Sequence, residues 1–396
     1  MNRDSVNIEP TLTRCVTLIL THKCNLRCNY CYQRHSRRDH AAMPLAMAKQ
    51  ILIKEFHAVP PNGLLMIVLM GGEVFTEWDL FRDLCEWVVN QQWPVAYKIT
   101  GSTNGTLINS DIKRWLSLHR EHISLGLSLD GDNAMQSINR GTSDGDIDIS
   151  FFRSTWPMQG VKMTLSGDTI RGLSHGIIYL HRQWGLNTGY RRDVKADDNE
   201  IACNIAYGSI LSRDNYFELK RELSFLIDFY TDSSNDYTPA TILNYDFSYC
   251  PMDFPPEIVH KRCGAGTAMI CYDTDGRTYP CQYFIPLTMS SDHLAMLPRY
   301  DFSEDTRDPS CMGCVIESIC PTCYGNNYLA TNDPFVRDKS LCIHYKLIAL
   351  ANCILQAKLI LPQTKPSDRE LYSLRVINTI YPMLRGETKA YETSLG

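Results

Sequence analysis

The segment Cys24-Asn25-Leu26-Arg27-Cys28-Asn29-Tyr30-Cys31 sets three cysteines in C-x3-C-x2-C spacing, and no other stretch constrains the chain as strongly. With 16 cysteines in 396 residues, chance would supply that spacing roughly 0.03 times per chain, so cysteine abundance does not explain it. The triplet directly follows a short apolar run, Val16 to Leu20, which reads as a strand. It therefore sits at the C-terminal end of a strand, where parallel barrels keep their active sites. Three thiolates on one loop suit three irons of a [4Fe–4S] cluster, which normally takes four cysteines. The remaining iron is then left to a small-molecule ligand. Zinc is the competing reading, but zinc sites ask for four ligands and favour C-x2-C pairs.

The other cysteines fall into groups. Cys263, Cys271 and Cys281 form one, preceded by Cys250; Cys311, Cys314, Cys320 and Cys323 form another, followed by Cys342. Cys15, Cys85, Cys203 and Cys353 stand in apolar surroundings and read as small buried hydrophobes. The start, Met1-Asn2-Arg3-Asp4-Ser5, has no signal-peptide stretch, and no apolar run is expected to reach the roughly 18 to 20 residues of a membrane helix. A cytoplasmic location with free thiols is the expectation, so surplus cysteine points to metal or redox chemistry. A net charge of -5 argues against general affinity for nucleic acid or anionic membrane.

Strands alternate with helices through the first half. Leu64 to Met70 is a continuous apolar run, as in a strand buried on both faces. Ala96 to Thr100, Ile123 to Leu129 and Val161 to Leu165 read as further strands. Met43 to Phe56, Glu77 to Val89, Ile108 to Leu118 and Leu173 to Trp184 read as helices. Such alternation means parallel strands with right-handed crossovers. The expected fold is α/β, a partial (β/α)6 TIM-like barrel over residues 1–200. A connecting helix and linker would follow at 201–262, a cysteine-rich extension at 263–342 and C-terminal helices at 343–396. The extension has too little apolar periodicity to hold itself, so something else must staple it.

On these motifs the chain resembles the radical S-adenosylmethionine (SAM) enzymes. Their signature is this cysteine triplet with an aromatic residue before the last cysteine, here Tyr30. Gly71-Gly72-Glu73 after the second strand is similar to the family's Gly-Gly-Glu stretch, with Val74 where a Pro is usual. Thr103-Asn104-Gly105-Thr106 and Ser128-Leu129-Asp130-Gly131 follow the third and fourth strands in the same way. The resemblance implies that Cys24, Cys28 and Cys31 hold the SAM cluster. It implies SAM contacts at Tyr30, Gly71, Gly72, Glu73, Asn104, Ser128 and Arg140, with Glu73 meeting the ammonium and Arg140 or Ser128 the carboxylate.

The later cysteines resemble the family's C-terminal SPASM extension, which carries two auxiliary [4Fe–4S] clusters, making three with the SAM cluster. Cys263, Gly276 and Cys281 fit its first part, and Cys342 its last. Cys311, Cys314, Cys320 and Cys323 fit its second part, with two residues rather than three between Cys320 and Cys323. The resemblance then assigns Cys311, Cys314, Cys320 and Cys342 to the outer cluster and Cys263, Cys281 and Cys323 to the inner one. Cys250, Cys271 or a substrate group is the inner cluster's fourth ligand. Paired zinc ribbons share the C-x2-C…C-x2-C spacing and are the competing reading.

The resemblance implies an oxidoreductase that cleaves SAM reductively to a 5′-deoxyadenosyl radical, which takes hydrogen from an unactivated C–H bond. The electron would come from a flavodoxin- or ferredoxin-type reductant. A ribosomally made precursor peptide is the expected substrate, with a carbon–carbon (cyclophane-type) or thioether crosslink as product. With 14 residues before Cys15, a separate leader-binding protein or another surface is the expected leader site; Arg34, His35, Arg37 and Arg38 form a basic run suited to an acidic leader. Formylglycine formation is the alternative, but its acidic residue after the cysteine is Gln282 here, and only Asp273 or Asp275 is nearby. A zinc scaffold or an electron carrier without SAM chemistry are readings of other classes. No substrate base is identified.

Overall fold

A computed structural model describes residues 11–33, 41–157, 159–184, 201–206, 211–250, 263–304 and 308–395. The basic run of Arg34, His35, Arg37 and Arg38 lies outside them. In chain order the first elements are β1 (Thr11–Thr21), α1 (Leu45–Ala58), β2 (Gly63–Gly71), α2 (Trp78–Val89), β3 (Ala96–Thr103), α3 (Ser110–Leu118) and β4 (Ile123–Ser128). Then come α4 (Asn133–Arg140), α5 (Ile149–Thr155), β5 (Val161–Leu165), α6 (Leu173–Trp184), β6 (Ile201–Ile205) and α7 (Arg213–Thr231). The cysteine-rich part adds β7 (Met269–Tyr272), β8 (Thr278–Tyr279), α8 (Ser291–Met296) and α9 (Tyr324–Thr331), and the chain closes with α10 (Cys342–Ile360) and α11 (Asp368–Leu395).

The strands form the parallel-dominated eight-stranded sheet of the expected α/β fold, in the order β6-β5-β4-β3-β2-β1-β7-β8. By contacts the chain groups into two compact units. One is Met1–Asn25, Gln33–Gly126 and Gly264–Ser303; the other is Leu26–Tyr32, Leu127–Cys263 and Glu304–Gly396.

In the first unit β1 is the central strand, parallel to β2 on one side and to β7 on the other. That second pairing is not a sequence-local event, since β7 lies some 250 residues further on. The β2 strand alternates strictly: Leu65, Ile67 and Leu69 are buried, while Leu64, Met66, Val68 and Met70 are half-buried. The continuous apolar run therefore covers one fully packed face and one partly open face, rather than two packed ones. Aromatic packing of Phe75, Trp78, Phe81 and Trp115 joins α2 to α3. A buried carboxylate ties three elements of this unit together. Glu55 of α1 is fully buried, paired to Arg14 of β1 and accepting the Tyr272 hydroxyl of β7 at 2.6 Å.

In the second unit β5 pairs with β4 and β6 in parallel, and α10 packs on α7 and α11. Asn352, fully buried in α10, takes the Tyr245 N–H and donates to the Ile242 carbonyl, so a polar residue clamps the connector onto the helix. Against the expectation from sequence, Lys339–Ile360 is long and apolar enough to cross a membrane by length and composition; half of that window is buried inside the protein, as in a core helix.

Glu55 is buried but Arg14 stays partly exposed, so removing Glu55 leaves a cation that water can partly reach and a Tyr272 hydroxyl without its acceptor, at a cost of about 1 to 3 kcal/mol. Glu55→Ala should lower the denaturant midpoint accordingly while Glu55→Gln, which keeps the Tyr272 contact, loses less; equal losses would mean the charge contributes nothing.

Candidate functional site

The loop after β1 is held from beneath by the Gly-Gly-Glu turn after β2. Gly72 N–H donates to the Thr21 carbonyl at 3.0 Å and Glu73 N–H to the Lys23 carbonyl at 2.8 Å. A Cβ on Gly71 would come within 2.5 Å of the Thr21 oxygen; one on Gly72 would run into the Lys23 carbonyl and approach the Cys24 Cβ to 2.8 Å. The two glycines are thus required by backbone touching backbone, before any ligand is considered.

Glu73 is buried, and its carboxylate accepts from Thr103 Oγ1 at 2.8 Å, Asn104 N–H at 2.8 Å and Phe75 N–H at 3.3 Å. These donors offset the burial of its charge and tie the turn after β2 to the end of β3. Asn104 in turn donates to Asn25 Oδ1 at 2.9 Å, while Asn25 donates to Thr106 Oγ1 at 2.8 Å and Thr106 donates back to Asn104. Asn104 thereby holds the residue that follows Cys24. Just before Cys24, buried His22 pairs through Nε2 with Asp273 Oδ1 at 2.6 Å, and its Nδ1 has no hydrogen-bond partner among the described residues.

In the other unit Asp130 is the organising group. Its buried carboxylate accepts the Tyr30 hydroxyl at 2.6 Å, Arg140 Nε and Nη2 at 2.9 Å each, and the Thr164 N–H at 2.9 Å. The guanidinium lies 5.5 Å from the Tyr30 ring centroid. The two-pronged grip of Arg140 therefore closes on Asp130, leaving Nη1 as the part of the fork outside that pair. Burial works against the Arg140 charge, but Asp130, Tyr30 and Cys28 outweigh it and its pKa is raised; burial likewise raises Tyr30. A guanidinium beside Cys28 favours the thiolate that iron binds. Asn29 N–H donates to the Asn139 carbonyl at 2.8 Å, anchoring the loop to the last turn of α4. Ser128 stands half-buried at the end of β4. In the sequence Asp130 is marked only as a carboxylate ten residues before an Arg at a helix end, and the contact with Tyr30 has no local signal.

Cys311, Cys314, Cys320 and Cys342, expected as the outer set, stand near one another. Burial first, then the neighbouring Cys342, Cys314 and Cys311, push the Cys320 thiol up to about 12 against the opposing Arg337 charge. Cys323 caps α9, where the Asn326 and Gly325 N–H groups offset part of a burial that lifts its thiol to about 11, with Cys263 close by. Cys281 Sγ accepts the Tyr283 N–H at 3.4 Å. Among the described residues no three Cys, His, Asp or Glu side chains converge on a point suited to one metal ion. A [4Fe–4S] cluster asks instead for one thiolate at each of several irons. The grouping of Cys311, Cys314, Cys320 and Cys342, and the cation beside Cys28, fit that demand.

Comparison with known proteins adds to this geometry. Residues 18–146 match the Radical SAM superfamily, so the chain carries a radical SAM domain. Over 118 residues it is 29% identical to the antilisterial bacteriocin subtilosin biosynthesis protein AlbA of Bacillus subtilis, covering 30% of this chain and 24% of that protein. Over 132 residues it is 25% identical to an S-adenosylmethionine-dependent nucleotide dehydratase of Psychrobacter lutiphocae, covering 31% of this chain and 42% of the relative. The chain thus spans under half the length of either curated relative. Its fold is similar to that of native anSMEcpe with bound AdoMet, with TM-score 0.62 and 15% identity over 94% of this chain and all of that one. It is also similar to Streptococcus suis SuiB bound to precursor peptide SuiA, with TM-score 0.54 and 19% identity over 83% of this chain and 76% of that one. A radical SAM domain implies SAM and a [4Fe–4S] cluster.

Gly72→Ala should displace the loop at Cys24 and lower the iron bound by the N-terminal triplet, measured as iron per chain in a variant retaining its auxiliary cysteines. Undiminished iron would mean the loop has room that the geometry denies it.

Proposed function

We propose that this chain is a radical SAM/SPASM maturase that acts on a ribosomally made precursor peptide and installs a carbon–carbon or thioether crosslink. The observation that carries the reading is the docking of the Cys24 loop on Gly72 and Glu73 by two backbone hydrogen bonds, which fixes one ligand of the triplet against a turn suited to SAM. Cys24, Cys28 and Cys31 would hold three irons, and SAM the fourth. When bound, the cluster and SAM supply a 5′-deoxyadenosyl radical. By the family resemblance Glu73 would serve the SAM ammonium and Arg140 or Ser128 the SAM carboxylate; within its own unit Asp130 keeps both Tyr30 and Arg140 in place.

The peptide substrate is supported by the kind of proteins the chain is similar to: one of bacteriocin biosynthesis, another captured with its precursor peptide. Cys311, Cys314, Cys320 and Cys342, and Cys263, Cys281 and Cys323, would hold two auxiliary clusters, whose chemistry when bound would be electron transfer. A flavodoxin- or ferredoxin-type protein would supply the first electron, in the cytoplasm, and a separate protein would present the leader. Formylglycine formation has less support. Gln282 stands where its acidic residue is expected, and Asp273 is occupied by His22.

The test is SAM cleavage under a strong reductant. Replacing Cys24, Cys28 and Cys31 together with Ala should abolish 5′-deoxyadenosine formation and leave the auxiliary iron in place. Persisting cleavage would overturn the reading; zinc in place of iron in anaerobically purified protein would favour a scaffold. Glu73→Ala should weaken SAM binding about ten- to a hundredfold, the worth of one charge-assisted contact. Titrating SAM binding directly reads that loss, and an unchanged affinity removes Glu73 from the site.

A further inference from the structure

The strands of the second unit carry a polar face that the reading above uses only at Ser128. In the β4–β5–β6 ladder Ser128 stands beside Lys162, Lys162 beside Ala202, and Thr164 beside Asn204. Residues side by side in a ladder share a face, and so do residues two apart, so these five lie on one side of the sheet. The other side is apolar. Val161, Met163, Leu165, Ile201 and Cys203 are buried there, and Met163 packs on α6, where a Cβ added to Gly176 would stand 3.3 Å from its methyl. On the face turned away from α6, Lys162 and Asn204 are exposed and Ser128, Thr164 and Ala202 half-buried.

Of the five, Lys162 alone carries a charge. Its strand is held firmly: the Lys162 carbonyl accepts the Leu129 N–H at 2.9 Å, and the Thr164 N–H donates to Asp130 at 2.9 Å. Solvent reaches the Lys162 side chain, yet the protein around it lowers its pKa by desolvation. An ammonium on a convex surface is fully hydrated and keeps its ordinary value, so the two facts together put this amine on a concave surface. A cation that has lost part of its water is compensated best by an anion. Its ladder neighbours are neutral, but the hydroxyls of Ser128 and Thr164 and the amide of Asn204 all have hydrogen to donate. One cation flanked by neutral donors on a rigid strand is the equipment for holding a carboxylate.

We infer that Lys162 is a substrate-binding residue that receives an Asp or Glu side chain of the precursor peptide, with Thr164 and Asn204 as the neutral donors beside it. The inference rests on the peptide-modifying reading above and narrows its substrate to a peptide with an acidic residue. SAM also has a carboxylate, but that reading gives it to Arg140 or Ser128, and the polar face continues from Ser128 across two more strands. An ammonium is a point charge without a fixed fork, so Lys162 accepts Asp and Glu alike and discriminates against their amides and against Lys or Arg.

The experiment selects binders from a random peptide library on the anaerobically purified full chain with SAM present. Wild type should enrich Asp or Glu at one position of the selected peptides, and Lys162→Arg should keep that preference. Lys162→Ala should lose it, and Lys162→Glu should exchange it for Lys or Arg. A selected Glu-containing peptide should bind Lys162→Ala about tenfold more weakly than wild type, while its Gln analogue binds both alike. SAM titration separates the two carboxylates and reports folding: Lys162→Ala should bind SAM within about twofold of wild type, and Lys162→Met serves where Ala does not fold. A tenfold loss of SAM affinity in the folded variant would give the contact to SAM and overturn the assignment. So would selected peptides without an acidic residue, or an acidic preference that persists in Lys162→Ala and Lys162→Glu. A wild type that enriches no peptide at all would be a different failure, that of the peptide reading itself, and would take this inference with it.

Discussion

The structure turns on how closely one loop can lie against its neighbouring strand. A [4Fe–4S] ligand loop must hold its first cysteine still, yet a loop of turn-forming residues has little packing of its own to do so. Here the strand next door supplies the constraint. Two N–H groups of the β2 turn reach the carbonyls of Thr21 and Lys23, and the missing Cβ atoms of Gly71 and Gly72 let the two chains touch. Glu73, clamped by Thr103 and Asn104, then transfers that rigidity to β3, and Asn104 returns it to Asn25. The loop is set by its supports more than by its own residues.

Asp130 does the corresponding work in the other unit. A carboxylate with no solvent exposure is tolerable because a guanidinium, a phenol and a backbone N–H all point at it. The arrangement places a permanent cation near Cys28 without leaving that cation free to wander. It also means that Arg140 and Tyr30 answer to one acid, so a change at Asp130 reaches both.

Much of this was legible in the sequence, and the reasons for the rest are specific. Strand–helix alternation depends on local periodicity, so Val161–Leu165 and Leu173–Trp184 were readable to the residue. The last helix, α11, passes through Pro382, a residue that in local sequence marks a helix end. The pairing of β7 with β1 left no local trace, because register between distant segments is decided by faces and not by neighbours. The glycines were recognised, but as space for a ligand; only coordinates show that the space belongs first to Lys23 and Cys24. Cys250 stands just before Pro251 in the sequence, and a cysteine before a proline carries no sign that it will end in a helical core. The Asp130 hub was hidden for a like reason: Tyr30 is a hundred residues away from it.

The double flank of β1 has a consequence for how the protein is made. One partner, β2, emerges from the ribosome soon after β1, while the other, β7, follows about 250 residues later. Through most of synthesis the strand that leads to Cys24 keeps one bare edge of N–H and C=O groups, the kind of edge that recruits wrong partners. Contacts of such long sequence separation also form late and slowly. The cell must therefore shelter an unfinished sheet and, until its last central ladder closes, an oxidisable thiol loop at its end, so folding and metal loading are tied to a common clock.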